Sequence, residues 1–247
     1  MKSIIINNKQ LNIDGIIFDK DGTLIEIYPM LWALAKKRLE KLVKLTSKKI
    51  IIPYLIGAGV NPITKKINPY GPLATAPKHE EVIVCAATLA RCGYKYYEAR
   101  QIAQTAYYEA DRDMNLKEGL ALIPGAKELL EKLRENKIKV FIATSDSKKR
   151  AEKMLKILNI SKYITDISGS DTVKNSKPNP DAVNYIIKKY KLKPSRLAVC
   201  GDSILDIQMG IAAKVKYNIG VLTGTSSKKE MRKYTSLVLN SVKDIIV

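Results

Sequence analysis

The chain has 247 residues, 46% hydrophobic and 27% charged, which excludes a disordered segment and leaves ample length for a buried core. No apolar run is long enough to span a bilayer, so the expectation is a cytoplasmic protein with no membrane partner. The net charge of +19 favours anionic partners, but the lysines are scattered in pairs (Lys36-Lys37, Lys48-Lys49, Lys65-Lys66, Lys188-Lys189) and no zinc-finger or RNA-recognition signature accompanies them, so specific nucleic-acid binding is not expected.

Along the chain, Ile4-Ile5-Ile6 is too short for the apolar core of a signal peptide and is ended by Asn7-Asn8-Lys9. Residues 12–19, NIDGIIFD, read as a short buried strand that ends on a carboxylate. Residues 26–117 differ from everything after them. Leu31, Leu34, Ala35, Leu39, Leu42 and Leu45 make a helical stripe. The stretch 55–77 is punctuated by Gly and Pro and is expected to be mostly irregular. Further helices are expected near 78–92 and 96–115, the second with Tyr96, Tyr97, Tyr107 and Tyr108 as packing residues whose hydroxyls stay wet. Cys85 and Cys92, seven apart, would share a helix face. With Cys200 they make an odd number without CxxC spacing, so reduced thiols are expected rather than disulfides or a zinc site. His79, the only histidine, reads as exposed and structural.

After Pro124-Gly125 the pattern becomes regular. AKELLEKLREN is helical, IKVFIAT a strand, KKRAEKMLKILN a helix and YITDIS a strand. PDAVNYIIKKYK, RLAVCGD, ILDIQMGIAAK and YNIGVL continue the alternation as helix, strand, helix and strand. This order predicts an α/β fold, a Rossmann-like parallel sheet with helices on both faces. Residues 14–19 supply one more strand, and the helical segment becomes an insertion directly behind it.

Ligands of such sheets sit beyond the carboxyl ends of the strands. The first strand delivers Asp19 and Asp21 there, the second Thr144 and Ser145, and the segment after the third offers Lys177. The fourth delivers Asp202 and Asp206. Individually these residues have plainer readings: Asp19-Lys20-Asp21-Gly22 as a turn, Thr144 as a helix cap, Lys177 as a surface lysine, and Asp206 as a charge at a helix start. Together they match the needs of phosphomonoester cleavage, which are a nucleophile, a proton donor for the leaving oxygen and positive charge against the phosphoryl oxygens. Clustered carboxylates repel one another, and Mg²⁺ relieves this by taking one or two of them with phosphate oxygen and water.

The four segments also resemble, in order, the motifs of the haloacid dehalogenase-like hydrolase superfamily. DKDGT (19–23) looks like its first motif, FIATS (141–145) its second, Lys177-Pro178 its third and GDSILD (201–206) its fourth. IPGAKELLEKLRENKIKVFIATS (123–145) is similar to the phosphoglycolate phosphatase-like branch. The resemblance spans residues 12–25 and 118–224. It implies a discontinuous catalytic core, 1–25 with 118–247, and an inserted α-helical cap domain, 26–117. It implies Asp19 as nucleophile and metal ligand, and Asp21 as general acid and base with its carbonyl on the metal. Thr144, Ser145, Gly22 and Lys177 would bind phosphate, Asp202 would ligate Mg²⁺ directly, and Asp206 would act through water or as an orienting partner. Family members that cleave carbon–halogen bonds lack the second aspartate, so Asp21 favours phosphate chemistry, where a leaving alkoxide needs a proton. The expected activity is a Mg²⁺-dependent phosphatase for a small phosphorylated metabolite, phosphoglycolate being the nearest guess. A sugar phosphomutase of the same superfamily and a non-catalytic phosphate-ligand binding protein remain open, as does the oligomeric state. In the cap, Lys65, Lys66, Arg91, Arg100 and Arg112 are candidates to meet an anionic substrate tail.

Overall fold

The computed structural model describes residues 2–247. It opens with an antiparallel hairpin of β1 (Ser3–Ile6) and β2 (Lys9–Asn12), which the sequence reading missed. Asn7 and Asn8 turn it with φ of 50° and 62°, the left-handed angles that a two-residue hairpin demands and that asparagine tolerates. The strand expected over 12–19 is correspondingly shorter, β3 (Gly15–Phe18), because Asn12 closes the hairpin.

The chain continues through α1 (Ile27–Leu45), α2 (Ile51–Gly57), α3 (Pro72–Thr75), α4 (Lys78–Arg91) and α5 (Tyr96–Asp113). Then come α6 (Ala126–Glu135), β4 (Lys139–Ala143), α7 (Lys148–Ile157), β5 (Asp166–Ser168), α8 (Asp181–Tyr190) and β6 (Leu197–Gly201). It ends with α9 (Ile204–Ala212), β7 (Tyr217–Val221), α10 (Lys228–Met231) and β8 (Leu237–Leu239). Two compact units result: Met1–Ile27 with Leu120–Val247, and Tyr28–Gly119.

In the first unit six parallel strands lie in the order β5-β4-β3-β6-β7-β8. Every residue of β3 and β6 is buried, which is why GIIF and LAVCG read as unbroken apolar runs rather than alternating ones. Leu129, Leu130 and Leu133 of α6, and Ala182, Val183 and Ile186 of α8, are buried at helical spacing. Val183 and Ile186 join Ile17, Phe141, Val199 and Met209 in one core cluster. Strand order reverses beside β3, because the chain builds β4 and β5 on one side and β6 on the other, and this is where α/β sheets open a crevice. Glu26 donates to the carbonyl of Ala121 and Ile123 to that of Leu24, so the outgoing and returning strands of the insertion are paired.

The second unit is helical. Ala99, Ala103, Ala106 and Ala110 form a fully buried stripe on α5. The first three share a core cluster with Val82, Cys85, Ala86 and Leu89 of α4. Arg38 is buried against Glu81 at 2.5 Å and lies 4.2 Å over the ring of Tyr107. Tyr107 is therefore buried, unlike the exposed Tyr96, Tyr97 and Tyr108. Cys92 is exposed, because α4 ends at Arg91 and the shared face with Cys85 is lost. The stretch 55–77 is mostly irregular, as expected, apart from the end of α2 at Gly57 and the short α3 at Pro72–Thr75. Among the described residues no helix is long and apolar enough to cross a membrane.

Candidate active site

Strand β3 ends at Phe18, and the Asp19 amide still donates to the Cys200 carbonyl of β6 at 2.8 Å, so the nucleophile candidate is held by the last rung of the sheet. The next four residues turn sharply. Gly22 has φ +79° and donates to the Ile25 carbonyl at 2.7 Å. A Cβ on Gly22 would lie 2.7 Å from the Asp202 carboxylate, so both backbone angle and space demand glycine. On the other side of Asp202 stands Gly224, where a Cβ would fall 1.8 Å from Oδ2. Asp202 thus fits a slot between two glycines.

Lys177 reaches the Asp19 carboxylate at 2.5 Å and the Asp206 carboxylate at 2.7 Å, with 10% of its side chain exposed. Asp19, Asp202 and Asp206 each present an oxygen within 4.8 Å of the other two. Asp206 is the N3 residue of α9: its Oδ2 accepts from the Ser203 amide and hydroxyl in a capping box, which leaves Oδ1 for Lys177. It therefore starts its helix and orients the lysine together. Asp202 Oδ2 accepts from the Thr225 amide at 2.9 Å.

One ammonium cannot balance three buried carboxylates. Burial and the Asp206 charge push the Asp202 carboxyl up to about 6, against the Thr225 amide. Burial raises Asp19 well above the ordinary carboxylate range despite Lys177, and Asp206, Asp202 and Asp21 add to the rise. Burial disfavours the Lys177 charge, yet Asp19 and Asp206 hold it above its ordinary value. The cluster is all-oxygen, buried and short of positive charge, which suits a small hard divalent cation such as Mg²⁺.

The remaining sequence candidates fall at the same sheet edge with different fates. Thr144 is buried, and its hydroxyl accepts from the Asp146 amide at 3.2 Å. It does not cap α7; that position is Ser147, whose hydroxyl accepts from Arg150. Ser145 is exposed. Asp21 is partly exposed and faces Lys20, a residue the sequence reading passed over. Also missed was the loop after β7: Thr225 holds Asp202, the Ser226 hydroxyl accepts from the Ile204 amide, and the Thr223 hydroxyl donates to the Gly22 carbonyl. The signal was available, because VLTGTS follows another strand of the same parallel sheet and so arrives at the same edge. In the helical unit His79, Lys65, Lys66, Arg91, Arg100 and Arg112 are all exposed.

A six-stranded parallel sheet that carries this carboxylate–lysine cluster defines the class, and sequence comparison agrees. A family model described as haloacid dehalogenase-like hydrolase matches residues 13–214, and the chain belongs to that family. It is 26% identical over 206 residues to a phosphoglycolate phosphatase from Vibrio parahaemolyticus, covering 83% of this chain and 81% of the relative. It is also 26% identical over 123 residues to a phosphorylated carbohydrates phosphatase from Thermotoga maritima, covering 50% and 57%. Among solved structures, a HAD-superfamily hydrolase of subfamily IA from Geobacter sulfurreducens superposes with a TM-score of 0.65 at 16% identity, covering 94% of each chain.

Proposed function

We propose that this protein is a Mg²⁺-dependent phosphatase that hydrolyses a small phosphorylated metabolite through a phosphorylated Asp19. The observation that carries the reading is the Asp19 carboxylate, buried beside Lys177 and within reach of the oxygens of Asp202 and Asp206. The family and the named phosphatase relatives support the same chemistry.

Asp19, the Asp21 main-chain carbonyl and Asp202 are the residues to hold the cation, with Asp206 beside them. When bound, the ion would neutralise their mutual repulsion and polarise a phosphoryl oxygen. An Asp19 oxygen attacks phosphorus as the ester bond breaks, and the Asp21 carboxyl gives its proton to the leaving oxygen. Lys177 faces the phosphoryl charge as it develops, while Asp206 keeps its ammonium aimed at Asp19. Thr144, Ser145 and the backbone at Gly22 complete the oxygen cradle. In the second step Asp21, now a carboxylate, takes a proton from water, which attacks phosphorus and frees Asp19 and inorganic phosphate. The helical unit acts as a cap that excludes water and selects the substrate. Its exposed cations, Lys65, Lys66, Arg91, Arg100 and Arg112, are candidates to meet a substrate carboxylate. The reduced cysteines fit a cytoplasmic enzyme.

Phosphate release from a panel of phosphorylated metabolites, phosphoglycolate first, tests this with and without Mg²⁺. Metal-dependent turnover that Asp19→Asn abolishes is the expected result. No hydrolysis of any member, including an aryl phosphate, would reject the phosphatase reading.

A further inference from the structure

Lys20 lies between the two aspartates of the first motif, yet its side chain is fully buried, an unusual place for a lysine. Its ammonium sits 2.5 Å from both oxygens of Asp21, 3.0 Å from Asp146 Oδ2 and 3.5 Å from the sulfur of Met154. A buried ammonium is tolerated only where carboxylates surround it, and the two here come from different loops. Asp21 follows β3; Asp146 follows β4, two residues beyond Thr144, whose hydroxyl accepts from its amide. Asp146 is braced in turn by Arg150 at 3.3 Å. A plain spacer at position 20 would need only an apolar side chain to fill the space beside Met154. Instead the chain places a charge there and turns both oxygens of Asp21 onto it.

From this geometry we infer that Lys20 is a positioning residue: by clamping the first-motif loop to Asp146 it fixes where the Asp21 side chain stands, and it holds the carboxylate that remains once the Asp21 proton has passed to the leaving oxygen. The inference rests on the phosphatase reading above, in which Asp21 is the proton donor. Fully buried and engaged by Asp21 and Asp146, Lys20 is placed to act through Asp21 rather than on the substrate itself. Its effect is felt only where a proton must be delivered as the O–P bond breaks. A 2,4-dinitrophenolate leaves without help, whereas a more basic phenoxide or alkoxide does so less readily the more basic it is.

The test compares Lys20→Met with wild type on phenyl, 4-nitrophenyl and 2,4-dinitrophenyl phosphate in saturating Mg²⁺. The parameter to read is kcat/KM, which reports the steps up to leaving-group departure and omits the later hydrolysis of phospho-Asp19. The expected result is a loss that grows with leaving-group basicity, about 10²-fold for phenyl phosphate and under about threefold for the dinitrophenyl ester. Near-normal turnover of the dinitrophenyl ester also shows that the variant is folded. In an Asp21→Asn background, Lys20→Met is expected to add nothing on 4-nitrophenyl phosphate, because the group it positions is gone. An equal loss across the three esters, or additive losses in the double variant, would make Lys20 a structural residue and overturn the inference while leaving the phosphatase intact. A wild type inactive on all three esters removes both. Should Lys20→Met fail to fold, Lys20→Gln, which keeps a donor but no charge, carries the same comparison with the same readings.

Discussion

In the helical unit one buried cation, Arg38, meets one buried carboxylate, Glu81, with Asp111 at 3.9 Å on the rim and Tyr107 beneath the guanidinium. In the α/β unit Lys20 and Lys177 face Asp19, Asp21, Asp146, Asp202 and Asp206, so carboxylates outnumber ammonium groups. Both arrangements take charge out of water at a cost. The first is neutral within itself, and Tyr107 packs under its guanidinium, although the buried Arg38 Nε has no hydrogen-bond partner among the described residues. The second is not, and it rests only when a proton or a cation arrives. Burial of charge alone does not mark a functional place; a one-sided excess of it does.

Four experiments probe this contrast, taken from the largest effect to the smallest. Asp19→Asn is expected to lower phosphate release by about 10⁴-fold or more. The same change removes one repelling charge, so the metal-free protein should melt at a higher temperature. A variant that loses turnover and also melts lower would deny that the cluster is over-charged. Lys177→Met removes the cation that two carboxylates share. Turnover should fall by about 10³-fold, and urea unfolding without Mg²⁺ should show a loss of about 3–5 kcal/mol. An unchanged urea midpoint would mean that Lys177 does not offset the buried charge of Asp19 and Asp206.

Arg38→Met is the counterpart in the helical unit. It strands Glu81, whose carboxyl burial already raises against the pull of Arg38, and should cost about 3 kcal/mol. The rise in melting temperature that Mg²⁺ produces should stay the same, because no metal ligand is touched; a diminished rise would tie the two clusters together. The pH effect is the gentlest. Asp202 ordinarily loses its proton near 3.8 but retains it to about 6 in the fold. Between those values the folded state binds more protons than the unfolded, so metal-free stability falls as pH rises from about 4 to 6. Saturating Mg²⁺ should reverse the slope, since ligand carboxylates must be deprotonated. Calorimetry in EDTA that shows no slope across this window would contradict the burial of Asp202 without a sufficient partner.

Much of the α/β unit was legible because its strands and helices obey local rules. GIIF and LAVCG are runs with no polar break, and the helices between them repeat apolar residues at three and four positions. The edge strand β8 and the hairpin β1–β2 were not, since they lie outside the regular helix–strand alternation that made the equally short β5 readable. At the candidate site the carboxylates were readable from their position after strands, and the structure gathers Asp19, Asp202 and Asp206 about Lys177. What escaped were the partners. Lys20 contacts Asp146, a residue more than a hundred positions away, and Thr225 holds Asp202 from the next strand's loop. Such pairings depend on which strand ends lie side by side, and strand order is not written in local periodicity.

The order of strands also sets a timetable for the newborn chain. Strand β3 occupies the middle of the sheet, but its β6 partner pairs Gly15 with Leu197, about 180 positions further on. At roughly 5–20 residues per second, a ribosome needs some ten to forty seconds to deliver it. Through that interval one flank of Gly15–Phe18 has no sheet neighbour, and its length of four residues keeps the adhesive ribbon short. A transcript cut anywhere ahead of Leu197 yields a polypeptide whose central ribbon stays bare on that side, a substrate for chaperones and proteases rather than a weakened enzyme.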